Sequence, residues 1–336
     1  MFKLKYSEIY ITNVCNLNCS NCNRFNNFAF SGHERWDDFQ SLYEQWAQKI
    51  DIDWIGILGG EPLLNPDFML WYDGILRLWP NSKVSVVTNG SQLSKWPGLY
   101  DLLLTYKDRA WLEITGHNNS EMANLCRNLE KFLVGPIHKT ISSKNFPDHE
   151  WQKCYDILKG VSWPDCKTAD RFEFLPESIK DELINKFFIS HQIWTDANGV
   201  RLEVSLTTRF FTSAVTYTEL TNEITLHNSD PVKAVKQCIS KYCHHFSKGK
   251  LYKCGAAGLL PDFIKQFKIN LSQEDREIIN SYVPAETTWQ DIQLTTFLEN
   301  LTQGLPIPQC KFCSESYEEI DFQAGPKKIK IVKNEK

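Results

Sequence analysis

Short apolar runs alternate with longer amphipathic stretches along this chain. Apolar or β-branched runs predict strands at about 8–13, 54–58, 83–88, 110–115, 137–141 and 200–206. Between the first two, Trp36, Phe39, Leu42, Tyr43, Trp46 and Ile50 fall on one stripe of a helix over 34–50, the spacing of a helix lying on a sheet. Asn65 followed by Pro66 has the character of an N-cap and a first helical position, opening a second helix that carries Phe68, Tyr72, Ile75 and Trp79 and stops at Pro80. Repeated βα units imply an α/β fold with a parallel sheet, whose functional groups gather at the carboxyl ends of the strands. The 143–199 stretch reads as a long aromatic-rich insertion before the sixth strand, and no internal repeat interrupts the series.

Composition narrows the class. The chain has 336 residues, 42% hydrophobic and 13% aromatic, enough for one large domain and a smaller one. No run of eighteen apolar residues occurs, and the start MFKLKYSEIY is strand-like, without the charged head and apolar stretch of a secretory signal. A cytoplasmic protein with no membrane partner is expected. The net charge of 37 − 41 = −4 gives no general attraction to phosphate backbones, so nucleic acid is not an expected partner. Eleven cysteines without such a signal, several at metal-ligand spacings, suit a reducing compartment better than a disulfide framework.

The chemistry starts at Cys15, Cys19 and Cys22, a C-x3-C-x2-C series in VCNLNCSNC at the end of the first strand. Three thiolates on a short loop can hold one corner of a 4Fe–4S cluster and leave the fourth iron open. A closed zinc site, with His33 as fourth ligand, is the alternative. The next strand weakens it, because WIGILGGEP runs from a buried-strand pattern into Gly59, Gly60, Glu61 and Pro62, which a zinc loop does not need. Glycines allow close backbone approach, and a carboxylate is a natural partner for an amine.

Together the cysteine series and GGEP resemble the radical S-adenosylmethionine (SAM) superfamily. The resemblance implies a partial (β/α)6 TIM-like barrel in which SAM chelates the open iron and is reductively cleaved to a 5′-deoxyadenosyl radical. It implies SAM contacts from Gly59, Gly60, Glu61 and Pro62, and from the third strand end at Thr88 and Asn89. Thr115, which shares a face with Glu113, and His117 are further candidates to line the pocket after the fourth strand. One position departs from the family: Asn21 stands where an aromatic residue commonly precedes the third cysteine.

A second cysteine set lies toward the C-terminus. Ten residues separate Cys238 from Gly249 and four more lead to Cys254, with a C-x2-C pair at Cys310 and Cys313. This resembles the auxiliary-cluster motif of SPASM and twitch subdomains, in the shorter twitch form, with Gly249 at a hairpin turn. The resemblance implies a second, auxiliary 4Fe–4S cluster on Cys238, Cys254, Cys310 and Cys313, with Cys243 as an alternative ligand and structural zinc as the competing reading. Cys126, Cys154 and Cys166 read as small buried hydrophobes, and His244 and His245 as hairpin-surface residues.

The expected organisation is a radical SAM partial barrel over 1–225, with 143–199 as a substrate region, a β-hairpin/helix auxiliary domain over 226–322, and a disordered Lys-rich tail at 323–336. The expected function is hydrogen abstraction from a small-molecule or peptide substrate, driven by a flavodoxin- or ferredoxin-like donor. The auxiliary cluster favours a net two-electron oxidation. A redox-neutral epimerase or peptide maturase and a non-catalytic iron–sulfur sensor or binding protein are the alternatives. Trp151, Tyr155, Trp163, Phe172, Phe174 and Arg209 are candidate substrate-side residues. No peptide-recognition domain is evident before the first strand, which tilts the choice toward a metabolite, with a nucleotide also open.

Overall fold

A computed structural model describes residues 1–19, 21–116, 119–141, 190–206, 209–210, 215–218, 223–316 and 320–321. The main sheet is built from β1 (Phe2–Tyr10), β2 (Ile50–Leu58), β3 (Lys83–Thr88), β4 (Ala110–Gly116), β5 (His138–Ile141), β6 (Ser190–Thr195) and β7 (Arg201–Leu206). Two short ribbons stand apart from it. One pairs β8 (Arg209–Phe210) with Ile320–Asp321, and the other pairs β9 (Val215–Thr218) with β10 (Glu223–Leu226). A hairpin of β11 (His244–Ser247) and β12 (Lys250–Tyr252) completes the main sheet, in the order β12-β11-β1-β2-β3-β4-β7-β6-β5.

The α/β class stands, as an open mixed sheet rather than an unbroken series of parallel units. Strands β11, β1, β2, β3, β4 and β7 run parallel side by side. The run expected as the fifth strand forms, but at the far edge, separated from β4 by β7 and β6. The cause is a hairpin hidden in the stretch read as an insertion. The sequence IWTDANGV turns on Gly199, with φ +87, while the Asp196 carboxylate accepts the N–H groups of Asn198 and Val200 at 2.9 Å each. That turn lays β6 antiparallel on β7 and leaves β5 only the outer position.

Helices α1 (Trp36–Lys49) and α2 (Phe68–Leu78) cover one face and bury Trp36, Tyr43 and Trp46 on the first, with Trp71, Tyr72 and Ile75 on the second. Burying aromatics of this size contributes about 2–3 kcal/mol each, provided that polar tips find partners. Several do: the indole N–H of Trp46 donates to Gly249 O, Trp71 to Glu34 O and Trp79 to Ile50 O, and Tyr72 Oη donates to Trp111 O, whereas the buried Tyr43 hydroxyl makes no hydrogen bond among the described residues. The next units add α3 (Leu99–Thr105) and α4 (Asn119–Phe132), and Cys126 on α4 is buried as expected. Asn65 is not the cap of α2, which starts at Phe68. A short 3-10 turn, Pro62–Leu64, intervenes, and the Asn65 amide instead donates to Ile11 O and Glu34 O, tying β1 to the start of α1.

Beyond β10 the chain forms α5 (Pro231–Gln237), a 3-10 turn Ile239–Tyr242, the hairpin, then α6 (Gly255–Phe267), α7 (Gln273–Asn280) and α8 (Asp291–Thr302). Lys248 and Gly249 both have positive φ, 51° and 68°, so the expected turn is present as a two-residue connection. A Cβ at position 249 would also lie 2.4 Å from Leu42 Cδ1 on α1. His244 and His245 are not on a surface. β11 pairs with β1 in the register Ser7 with His244 and Glu8 with His245, which buries both rings.

Candidate iron–sulfur and SAM site

Cys15, Cys19 and Cys22 lie on the connection from β1 to α1, at the carboxyl edge of the sheet, and all three are half-buried. The end of β2 holds the start of this loop. Gly60 N–H donates to Thr12 O at 2.7 Å and Glu61 N–H to Val14 O at 2.8 Å. A Cβ on Gly60 would fall 2.4 Å from Val14 O, and one on Gly59 2.7 Å from Thr12 O, so only glycine permits this approach. The glycine pair therefore meets the cysteine loop itself, at the edge where a ligand of the thiols would sit.

Glu61 is fully enclosed. One carboxylate oxygen accepts Thr88 Oγ1 at 2.6 Å and Leu63 N at 3.1 Å, and the other accepts Asn89 N at 2.8 Å. Burial pushes its carboxyl up to about 7 against these hydrogen bonds. The side chain thus locks the end of β2 to the end of β3. It keeps acceptor capacity, since a carboxylate has about four lone-pair sites. Thr88 and Asn89 belong to the same lock, and Thr115 stands half-buried on β4, opposite Ser205 of β7.

Two functional contributions were not legible in the motifs. Asn16, inside the cysteine loop, donates to Ser91 Oγ at 2.8 Å and accepts Asn89 Nδ2 at 2.9 Å, so β3's turn holds the loop from its other side. The loop's return, Phe25, Phe28 and Phe30, packs on Phe263 of α6, with ring centroids 4.6, 5.0 and 5.7 Å away. The string FNNFAF carried that signal as three aromatics in a segment otherwise polar. His33 does not join the cysteines. Its Nδ1 lies 2.9 Å from Thr12 Oγ1, in a β-bridge between the two residues.

The second thiol set is assembled from three segments. Cys238 follows α5, Cys254 precedes α6, and Cys310 and Cys313 bracket the end of the 3-10 turn Pro308–Phe312. Burial raises every one of these thiols, and other thiols add to it at three of them: Cys238 is pushed up to about 12 by burial and by Cys254 and Cys310, Cys313 well up by burial and by Cys254, Cys238 and Cys310, and Cys310 up by burial and by Cys254, while Lys253 and Arg24 oppose the rise at Cys254. Cys243 differs. After burial, its strongest electrostatic neighbours are Glu8 and Arg24, and it packs beside Tyr6, Trp54 and Trp111.

Among the described residues, no three His, Cys, Asp or Glu side chains converge as the ligands of one ion do. Both sets do fit an all-thiolate cluster by donor chemistry. The first offers three half-exposed sulfurs on a braced loop, with Leu17 N–H 3.4 Å from Cys15 Sγ. The second offers four sulfurs with two enclosed cations beside them, Lys253 and Arg24, the countercharge that thiolates require. His117, Cys154, Cys166, the five candidate aromatics between Trp151 and Phe174, and the 323–336 tail lie outside the described residues. Arg209 is placed on the short strand β8.

A family model described as the Radical SAM superfamily matches residues 9–164, from β1 through the cysteine loop and GGEP to beyond β5. Two curated proteins are similar, both GTP 3′,8-cyclases. That of Nautilia profundicola is 28% identical over 96 residues, 28% of this chain and 30% of its own length. That of Haemophilus influenzae is 24% identical over 274 residues, 74% of this chain and 77% of its own length. Among solved structures, Streptococcus suis SuiB bound to S-adenosylmethionine aligns over 93% of this chain and 72% of its own at 13% identity, TM-score 0.42. SuiB bound to the precursor peptide SuiA aligns over 93% and 71% at 12% identity, TM-score 0.43.

Proposed function

We propose that this chain, whose residues 9–164 match a family model described as the Radical SAM superfamily, is an enzyme that binds a 4Fe–4S cluster through Cys15, Cys19 and Cys22 and cleaves SAM there. When bound and reduced by a flavodoxin- or ferredoxin-like donor, a cluster held by these thiols would supply the electron for reductive cleavage of SAM. The residues of this chain do the rest. Gly59 and Gly60 keep the strand edge bare beside the thiols, Glu61 fixes that edge against Thr88 and Asn89, and Asn16 holds the loop. Gly59, Gly60, Glu61, Pro62, Thr88, Asn89 and Thr115 are the proposed SAM-facing set. The observation that carries the proposal is the half-exposed thiol triplet pressed against a glycine pair at the carboxyl edge of a parallel sheet.

The second thiol set is proposed to hold an auxiliary 4Fe–4S cluster on Cys238, Cys254, Cys310 and Cys313, with Cys243 outside it. Cys238, Cys254 and Cys310 dominate the electrostatic surroundings of Cys313, whereas Cys243 faces Glu8 and Arg24 first. A closed auxiliary cluster suits a net two-electron oxidation of a small-molecule or peptide substrate. Held by those four thiols, such a cluster would supply a one-electron acceptor close to the first site, which a net two-electron oxidation of a substrate C–H bond would need.

A second reading is favoured by the similarity that spans 74% of the chain to a GTP 3′,8-cyclase. It makes the substrate a purine nucleotide and the reaction a redox-neutral ring closure. The test is anaerobic reconstitution followed by a 5′-deoxyadenosine assay with SAM and dithionite. About eight iron atoms per chain and 5′-deoxyadenosine are expected. Zinc in place of iron would end the proposal. Adding GTP separates the two readings, since stimulated 5′-deoxyadenosine release with an isomeric product supports the nucleotide.

A further inference from the structure

Between the two thiol sets lies a buried ionic group that neither motif includes. Arg24 comes two residues after Cys22, on the first loop, and its side chain turns inward beside Phe25, which adopts the left-handed backbone with φ 61. Arg24 Nη2 lies 2.5 Å from Glu8 Oε2, both side chains being largely enclosed at 15% and 10% exposure. Glu8 is on β1 and pairs in register with His245 on β11, whose Nδ1 is 3.5 Å from the same oxygen. The other end of the guanidinium reaches the second set. A Cβ built on Gly255 would lie 1.5 Å from Arg24 Nη1, so the cation is seated directly on the first residue of α6, next to Cys254.

We propose that Arg24 is a positioning residue for the second thiol set, a fixed positive charge carried on the first cysteine loop and held against Cys254 by Glu8 and by the bare backbone of Gly255. This rests on the auxiliary-cluster assignment above. A guanidinium is always charged, and in a water-poor site its field is felt strongly at short range. A neighbouring cation stabilises the more negative, reduced state of a thiolate-bound cluster and so raises its reduction potential. Glu8 tempers that charge. Lys253, immediately after β12, is a second cation at the same thiols.

The experiment is an EPR-monitored redox titration of the reconstituted protein, with SAM added to mark the signal of the first cluster. In Arg24→Gln the potential of the SAM-insensitive cluster is expected to fall by at least a tenfold change in its one-electron equilibrium, roughly 60 mV. In Glu8→Gln, which leaves the cation and removes its countercharge, the same potential is expected to rise. Gly255→Ala, whose Cβ displaces the guanidinium without removing it, is expected to lower it by less than Arg24→Gln. If Arg24→Gln does not hold iron, the rise in Glu8→Gln decides alone. A wild-type chain with about four irons would remove the auxiliary cluster and this role with it. Eight irons with a potential unmoved in Glu8→Gln and Gly255→Ala would overturn only the role of Arg24.

Discussion

The loop over 15–22 and the thiols at 238, 254, 310 and 313 use one side chain in two ways, gathered on one loop or drawn from distant segments. The first three lie within eight residues, half-exposed, on a loop held by backbone hydrogen bonds to β2 and side-chain bonds to β3. The last four are half-buried as well but come from three segments, and Cys238, Cys310 and Cys313 are each raised by burial and by other thiols of the set. The difference is one of assembly. The triplet is encoded within a single loop, whereas the quartet is brought together only by the folding of the chain around it. Phe25, Phe28 and Phe30 against Phe263, and Arg24 on Gly255, join the two, so the sites share a wall instead of merely sharing a chain.

Substitutions that act on one site and spare the other break this contrast most sharply. Cys19→Ala is expected to bring 5′-deoxyadenosine formation to background while about four irons remain; retained SAM cleavage would contradict the assignment of the first loop. Cys254→Ala should do the reverse, halving the iron and exposing the region after 226 to limited proteolysis, with SAM cleavage still measurable. Gly60→Ala places a methyl 2.4 Å from Val14 O and is expected to slow SAM cleavage at least tenfold, leaving the second cluster's EPR signal unaltered.

Smaller effects probe the seam between the sites. Glu34, at the return of the first loop, accepts Ser247 Oγ at 2.7 Å and Lys248 N at 2.9 Å from the hairpin, and burial raises its carboxyl from 4.5 to about 7. A carboxyl raised in the folded state contributes stability that is fully present below about pH 4.5 and is lost as pH rises through about 7. At about 1.4 kcal/mol per pKa unit the contribution is of the order of 3 kcal/mol. Glu34→Gln should therefore flatten the fall in unfolding midpoint between pH 5 and about 7.5; an unchanged slope would place the effect elsewhere. Cys243→Ala should cost only about 1–2 kcal/mol of packing and keep about eight irons. A fall to four would move Cys243 into the ligand set in place of Cys238.

Local pattern carried the first site well. C-x3-C-x2-C and GGEP sit where strand ends were expected, because a strand followed by a tight turn is decided by neighbouring residues, and the helix stripe from Trp36 to Trp46 is buried as its period required. The hairpin turn at Gly249 was equally legible, since two successive positive φ angles need a residue such as glycine. Misplaced features share a non-local cause. His244 and His245 are buried because β11 adds to β1, about 235 residues earlier in the chain, and β5 is moved outward because β6 claims the place beside β7.

The sequence by itself determined the spacing of the thiols, the glycine pair beside them and most of the strand and helix positions, since each depends on residues a few places apart. Tertiary structure alone decided which thiols face one another, that Glu61 spends its carboxylate on the ends of two strands, and that Arg24 reaches from one cysteine set to the other. Those outcomes depend on strand order and on burial, which sum contacts from distant segments. No spacing along the chain encodes such a sum.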